Sequence, residues 1–189
     1  MKRLDQIVLI TSFLGFSWLA MQAVHELGHV LGALASGGRI VKVVLHPFTI
    51  SGTYVFPNPH PLFEVWAGSF MGAVLPLLVF LFAYGLRIPG LYLFRFFSGF
   101  CLIANGAYIG RGAFAGIADS TELLMYGAHR WQLFLFGVIS LTLGLYLWNG
   151  LGSHFGLGES KGKVSRTAAI TSLILLIATV GIEMTFGLR

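Results

Sequence analysis

Residues 25 to 29 read His-Glu-Leu-Gly-His, a spacing that lets two imidazoles bind one ion. On an α-helix, residues four apart stand one turn above each other on the same face. The rings of His25 and His29 therefore converge, and Glu26 leans toward a water held by the same ion. Two neutral imidazoles beside a carboxylate suit Zn²⁺, which acidifies bound water while the carboxylate takes the proton. The setting narrows the reading. The motif interrupts an apolar stretch from about Gln6 to Ser36, and an ionisable group at bilayer depth costs about 2.5 to 3.5 kcal/mol on insertion scales. A chain that keeps such groups there has a use for them.

The elements that must hold this motif follow from composition. The 189 residues are 56% hydrophobic and only 10% charged, with a mean hydropathy of +0.83; soluble domains carry about a quarter charged residues. The expectation is an all-α polytopic membrane protein with about five transmembrane helices, forming one domain over residues 1–189. The helices are expected over about 6–36, 62–86, 91–109, 131–151 and 168–186. Ser36-Gly37-Gly38 is a glycine stop for the first. Arg39 to Val55 mixes apolar and polar residues and reads as a short β-hairpin or extended segment turning near Ser51-Gly52. Pro57, Pro59 and Pro61 then break regular structure before the second helix, whose first turn contains Glu64, where the helix dipole favours an anion. Arg111 to Arg130 is glycine-interrupted and reads as a re-entrant or half-buried piece before the fourth span. Gly68-x-x-x-Gly72 and Gly106-x-x-x-Gly110 are expected to let helices approach closely within the bundle.

Charge and cysteine content exclude other classes. The net charge of +5 comes from Lys and Arg scattered through short connections; with no basic stripe, nucleic acid is not an expected partner, and the lipid bilayer is. Lys and Arg counts on alternate sides of the spans are nearly even and assign no orientation. The single cysteine, Cys101, rules out an internal disulfide and reads as buried packing. The N-terminal apolar segment is too long for a signal peptide and lacks a small-residue cleavage site, so it is expected to stay with the helix that carries the motif.

Two histidines do not complete a catalytic zinc site, which uses three protein ligands and a water. The candidates for the third are Asp119, Glu122, His46, His60 and His129, with Glu64 as an outsider. Asp119 is preferred because the small residues from Gly112 to Ala118 allow close backbone approach to the first helix. Its competing reading is a helix cap with Glu122 three residues on.

Ala23-Val24-His25-Glu26-Leu27-Gly28-His29, the Gly37-Gly38-Arg39 exit into a short β segment, Trp66-Ala67-Gly68 opening a small-residue helix, and Ala118-Asp119-Ser120 before a further span together resemble the site-2 protease family of intramembrane zinc metallopeptidases, most closely its compact bacterial branch. The resemblance covers about residues 15 to 140. It implies a multi-pass protein, by that likeness in a bacterial cell membrane, that hydrolyses peptide bonds of membrane-embedded or membrane-anchored proteins. By the same resemblance His25, His29 and Asp119 bind zinc and Glu26 is the catalytic acid and base. Departures are visible: the family's Asn-Pro before an Asp-Gly has no counterpart, since the nearest asparagine is Asn105, followed by Gly106, and Asp119 precedes Ser120. Asn105 is thus either a substrate ligand or a hydrogen bond between helices. The alternative class is a membrane metal-binding or transport protein that uses these ligands without hydrolysis; a non-catalytic interaction protein is a third.

Overall fold

The computed structural model describes residues 2–187. The chain forms α1 (Lys2–Ser36), β1 (Ile40–Val44), β2 (Gly52–Val55), α2 (Pro61–Gly85), α3 (Leu91–Gly112), the short α4 (Asp119–Met125), α5 (Arg130–Trp148) and α6 (Arg166–Gly187), with two 3₁₀ turns between α5 and α6. Five of the helices, α1, α2, α3, α5 and α6, are long and apolar enough to cross a membrane. The all-α architecture with a two-stranded antiparallel hairpin after the first helix is therefore the one expected.

Boundaries differ from expectation where local chemistry overrides hydropathy. α1 begins at Lys2 rather than near Gln6, because the polar residues before the apolar stretch continue the helix. Its 35 residues make it roughly 50 Å long, well beyond a hydrocarbon core of about 30 Å. It stops in a Schellman arrangement: Gly37 takes φ +79°, Gly38 N–H donates to the Ala33 carbonyl at 2.8 Å and Gly37 N–H to that of Leu34 at 3.4 Å. α5 ends at Trp148, short of the expected Leu151, because Gly150 at φ +77° turns the chain. Leu151 is instead buried beside Leu9 and Phe13 of α1. In the hairpin, the reversal is not at Ser51-Gly52. Pro47 supplies it, with Thr49 N–H bonded to the His46 carbonyl at 3.1 Å, and Gly52 opens β2. The ladder pairs Ile40 with Val55 and Lys42 with Tyr54, with an irregularity at the intervening Val41. Arg189, one of the cations in the charge comparison, lies outside the described residues.

α1 packs between α2 and α6, and α3 packs between α2 and α5. Glycines set both inner seams. A Cβ on Gly110 would stand 2.9 Å from the Gly137 Cα, and one on Gly106 would stand 2.7 Å from Ser140 Cβ, so the second G-x-x-x-G closes α3 onto α5. On the other seam, Gly28 and Gly32 of α1 meet Ala67 of α2 at backbone range. That contact brings the metal motif of α1 against α2.

Candidate metal centre

Helix α1 delivers the two histidines as its geometry requires. Both are buried, 8% and 6% exposed, and their Nε2 atoms stand 3.1 Å apart. Asp119, the first residue of α4, reaches them from a separate element packed on α2 and α3: its Oδ2 is 2.9 Å from His25 Nε2 and 3.3 Å from His29 Nε2. The three residues offer ligand atoms that all lie within 4.8 Å of one another. The Asp119 carboxylate faces the imidazoles rather than capping its helix. Local backbone fixes its approach. Its N–H donates to the Tyr108 hydroxyl at 3.2 Å, and the Ser120 hydroxyl both accepts from Ile117 N–H and donates to the Ile117 carbonyl. Gly112 leaves room for Ser120, since a Cβ there would overlap that side chain. Ala118, immediately before Asp119, has φ +42° and ψ −119°, a strained conformation for a residue with a Cβ.

The outer nitrogen of each imidazole is also engaged. His25 Nδ1 is 2.7 Å from Asn105 Oδ1, and the Asn105 amide donates to the Cys101 carbonyl at 2.9 Å. The amide nitrogen is thereby identified as the donor, so Oδ1 accepts and His25 Nδ1 carries the proton. His29 Nδ1 is 2.8 Å from the Glu64 carboxylate, whose other oxygen accepts from the Asn58 amide at 3.3 Å. A carboxylate can only accept here, so His29 Nδ1 carries its proton as well. With Nδ1 of each ring tied to its outer partner, the two Nε2 atoms are the ones left to face a metal ion, the tautomer such a ligand needs. The first G-x-x-x-G makes space for these ties. A Cβ on Gly68 would overlap the His29 ring, and one on Gly72 would stand 2.7 Å from Asn105 Oδ1.

Glu26 is 4% exposed and lines the same cavity as the three ligands. Its two carboxylate oxygens accept hydrogen bonds from the hydroxyls of Ser51 and Thr53, each at 2.7 Å. A cavity of about 600 Å³ opens beside it, with Asn105, Tyr108 and Asp119 on one wall and the hairpin from Ile50 to Tyr54 on another. Comparison with family models, with curated proteins and with solved structures gives no match.

The two acids of α4 that border the site are shifted in opposite directions. Burial by itself would raise the Asp119 carboxyl, but hydrogen bonds and charge from His25 and His29 reverse this and hold it below the usual carboxylate range. Glu122, which also lines the cavity, is shifted the other way, by burial first and then by the neighbouring Asp119 and Glu64. The remaining candidates are elsewhere. The His46 ring accepts from Phe48 N–H, the His60 carbonyl accepts the first N–H groups of α2, and His129 N–H donates to Gln132 Oε1 at the start of α5. Asn105 forms the hydrogen bond between helices, with His25 as its partner. Glu64 lies in the first turn of α2, as expected, and from there it holds His29 rather than serving as the third ligand. Its signal in the sequence was an acid kept in an apolar helix. The partnerships of Ser51, Thr53 and Tyr108 had no such signal.

Proposed function

We propose that the chain is an intramembrane zinc metalloprotease that hydrolyses peptide bonds of membrane-embedded or membrane-anchored proteins. The observation that carries this reading is the convergence of His25 Nε2, His29 Nε2 and Asp119 Oδ2 from two separate elements, with the Glu26 carboxylate beside the same cavity. The donor set fits zinc: two imidazoles with fixed tautomers and one ionised carboxylate are three protein ligands, the number that leaves a position for water. When bound, zinc lowers the pKa of water toward 7 and polarises the scissile carbonyl. Glu26 takes the proton from the attacking water and returns it to the departing amine nitrogen, acting as base and then as acid. Asn105 and Glu64 keep the imidazoles aimed throughout.

The surroundings support a substrate that arrives from lipid. Trp18, Ile50 and Tyr54 line the cavity yet are 52%, 89% and 60% exposed, so apolar groups rim its opening. A substrate helix in lipid hides its backbone in its own hydrogen bonds and must unwind locally before attack. The hairpin beside the cavity offers strand edges to an extended segment by β-addition. The likeness of the motifs to site-2 proteases accords with this reading, and a bacterial cell membrane is the setting proposed with it. A metal carrier built on the same ligands has no use for Glu26.

Glu26 therefore supplies the test. Glu26→Gln is expected to retain zinc at the wild-type stoichiometry and to lose cleavage of co-expressed membrane proteins, read by comparing membrane-protein fragments from cells making either form. His25→Ala and Asp119→Ala are expected to lose zinc. Fragments that persist with Glu26→Gln overturn hydrolysis through this carboxylate, and full zinc in both ligand variants overturns the site.

A further inference from the structure

We propose that Ser51 and Thr53 are positioning residues for the proposed general base, so that the base is completed only when the hairpin is seated on α1. This inference rests on the hydrolytic reading above. Each metal-facing side chain has its own restraint: Asn105 for His25, Glu64 for His29, the backbone around Tyr108 and Ser120 for Asp119. Glu26 sits on the same helix, but its carboxylate hangs on a flexible stem with three torsions. Among the described residues its hydrogen-bond partners are the two hairpin hydroxyls, Ser51 Oγ on Oε1 and Thr53 Oγ1 on Oε2.

The arrangement is a fork. Residues two apart on an extended segment project to the same side, so Ser51 and Thr53 hold one oxygen each. Carboxylate oxygens have about four lone-pair sites between them, and one hydroxyl on each leaves a free site on each for the proton of an attacking water. The hairpin is fastened one turn earlier as well, where Ser51 N–H donates to Gln22 Oε1 at 3.2 Å. Gln22 and Glu26 are four residues apart and share a face of α1, so the two fastenings fix the segment along the helix and set the carboxylate's rotation. Without the hydroxyls, the carboxylate is free to turn toward other positions in the cavity.

The test uses the full chain purified in detergent and loaded with zinc, with fluorescent β-casein as the probe. Since a misplacement of about 1 Å costs on the order of 100-fold in rate, Thr53→Val and Ser51→Ala are expected to lower kcat by roughly 10- to 100-fold while KM stays close to wild type. Thr53→Ser, which keeps the hydroxyl, is expected to restore kcat to within about threefold. Zinc stoichiometry is expected to stay at the wild-type value in all three. In the metal-free protein, the melting-temperature shifts of Glu26→Ala and Thr53→Val are expected to be non-additive, because either change removes the same hydrogen bond. An unchanged kcat, a rise in activity (a hairpin that restrains rather than aims the base), a failed serine rescue or additive melting shifts overturns the inference while hydrolysis stands. Membrane-protein fragments that are identical in cells making wild type and Glu26→Gln remove the hydrolytic reading and this inference with it.

Discussion

The two halves of α1 are built on opposite rules. Toward the N-terminus, Leu9 and Phe13 are buried among large rings: Phe96 stacks on Trp148 with centroids 4.9 Å apart and meets Phe155 at 5.0 Å, and Phe13 lies 5.5 Å from Phe96. Contact there is non-directional, and an apolar groove of about 300 Å³ opens beside it. Toward the C-terminus, small residues bring α2 to backbone range, and each buried polar atom of the histidines and Glu26 has a named partner. Burying a polar group without a partner costs about 1 to 3 kcal/mol, so this half is specified bond by bond. The first half sets how firmly the helices associate. The second sets which atoms face a metal.

That contrast is most directly broken at Gly68. Its Cβ position is occupied by the His29 ring, which is already held on its other side by Glu64, so neither the ring nor the α2 backbone has an easy retreat. Gly68→Ala is expected to lose bound zinc almost entirely, measured by metal analysis of the purified protein. Zinc retained at full stoichiometry would show that the seam is looser than the backbone contacts imply. Glu64→Leu comes next. It removes the acceptor for His29 Nδ1 without touching a ligand, and loss of such an outer partner usually weakens metal affinity by about 10- to 100-fold. Competition with a zinc chelator reads the change directly, and an affinity equal to wild type would make Glu64 a bystander.

How far these features can be read from the sequence follows the same division. The His25-Glu26-His29 spacing is local and survives any packing, and Asp119 stood out because the small residues from Gly112 to Ala118 precede it. Glu64 was equally visible as a residue, but its partner depends on the rotation of α2 against α1, set by Gly28, Gly32 and Ala67 and by no property of Glu64 itself. Ser51 stood at the expected turn, so its sharing a side with Thr53 was hidden, and that both meet Glu26 depends on how the hairpin folds back along α1. The turn was misplaced because Gly52 looked like its natural site, while Pro47 makes the reversal earlier. Leu151 extended the fourth span by hydropathy alone. Its burial against Phe13 rewards leaving the helix just as well as continuing it.

The aromatic half sharpens the comparison from the other side. Phe13 is 3% exposed and touches Phe16, Phe96 and Phe155, so Phe13→Leu removes ring contacts and leaves no polar atom unpaired. A loss of about 1 to 2 kcal/mol is expected, in the usual range for a core substitution. It should appear as a lower melting temperature in detergent with zinc stoichiometry unchanged. A fall in zinc content instead would mean that the two halves of α1 are coupled.

The smallest expected effect is a gain, at Ala118. Its φ of +42° with ψ of −119° is readily available only to glycine, and it is the residue that turns the chain so that Asp119 faces the histidines. Residues held in such regions cost on the order of 1 kcal/mol or more, borne here by the bonds of Ser120 to Ile117 and of Asp119 to Tyr108. Ala118→Gly relieves that strain but also loosens the unfolded chain, which offsets part of the benefit. The net expectation is a slightly higher melting temperature with zinc retained. A drop in melting temperature with zinc retained would mean that the cost in the unfolded chain outweighs the strain. A loss of zinc would mean that the strained turn itself, rather than the bonds around it, keeps Asp119 in place.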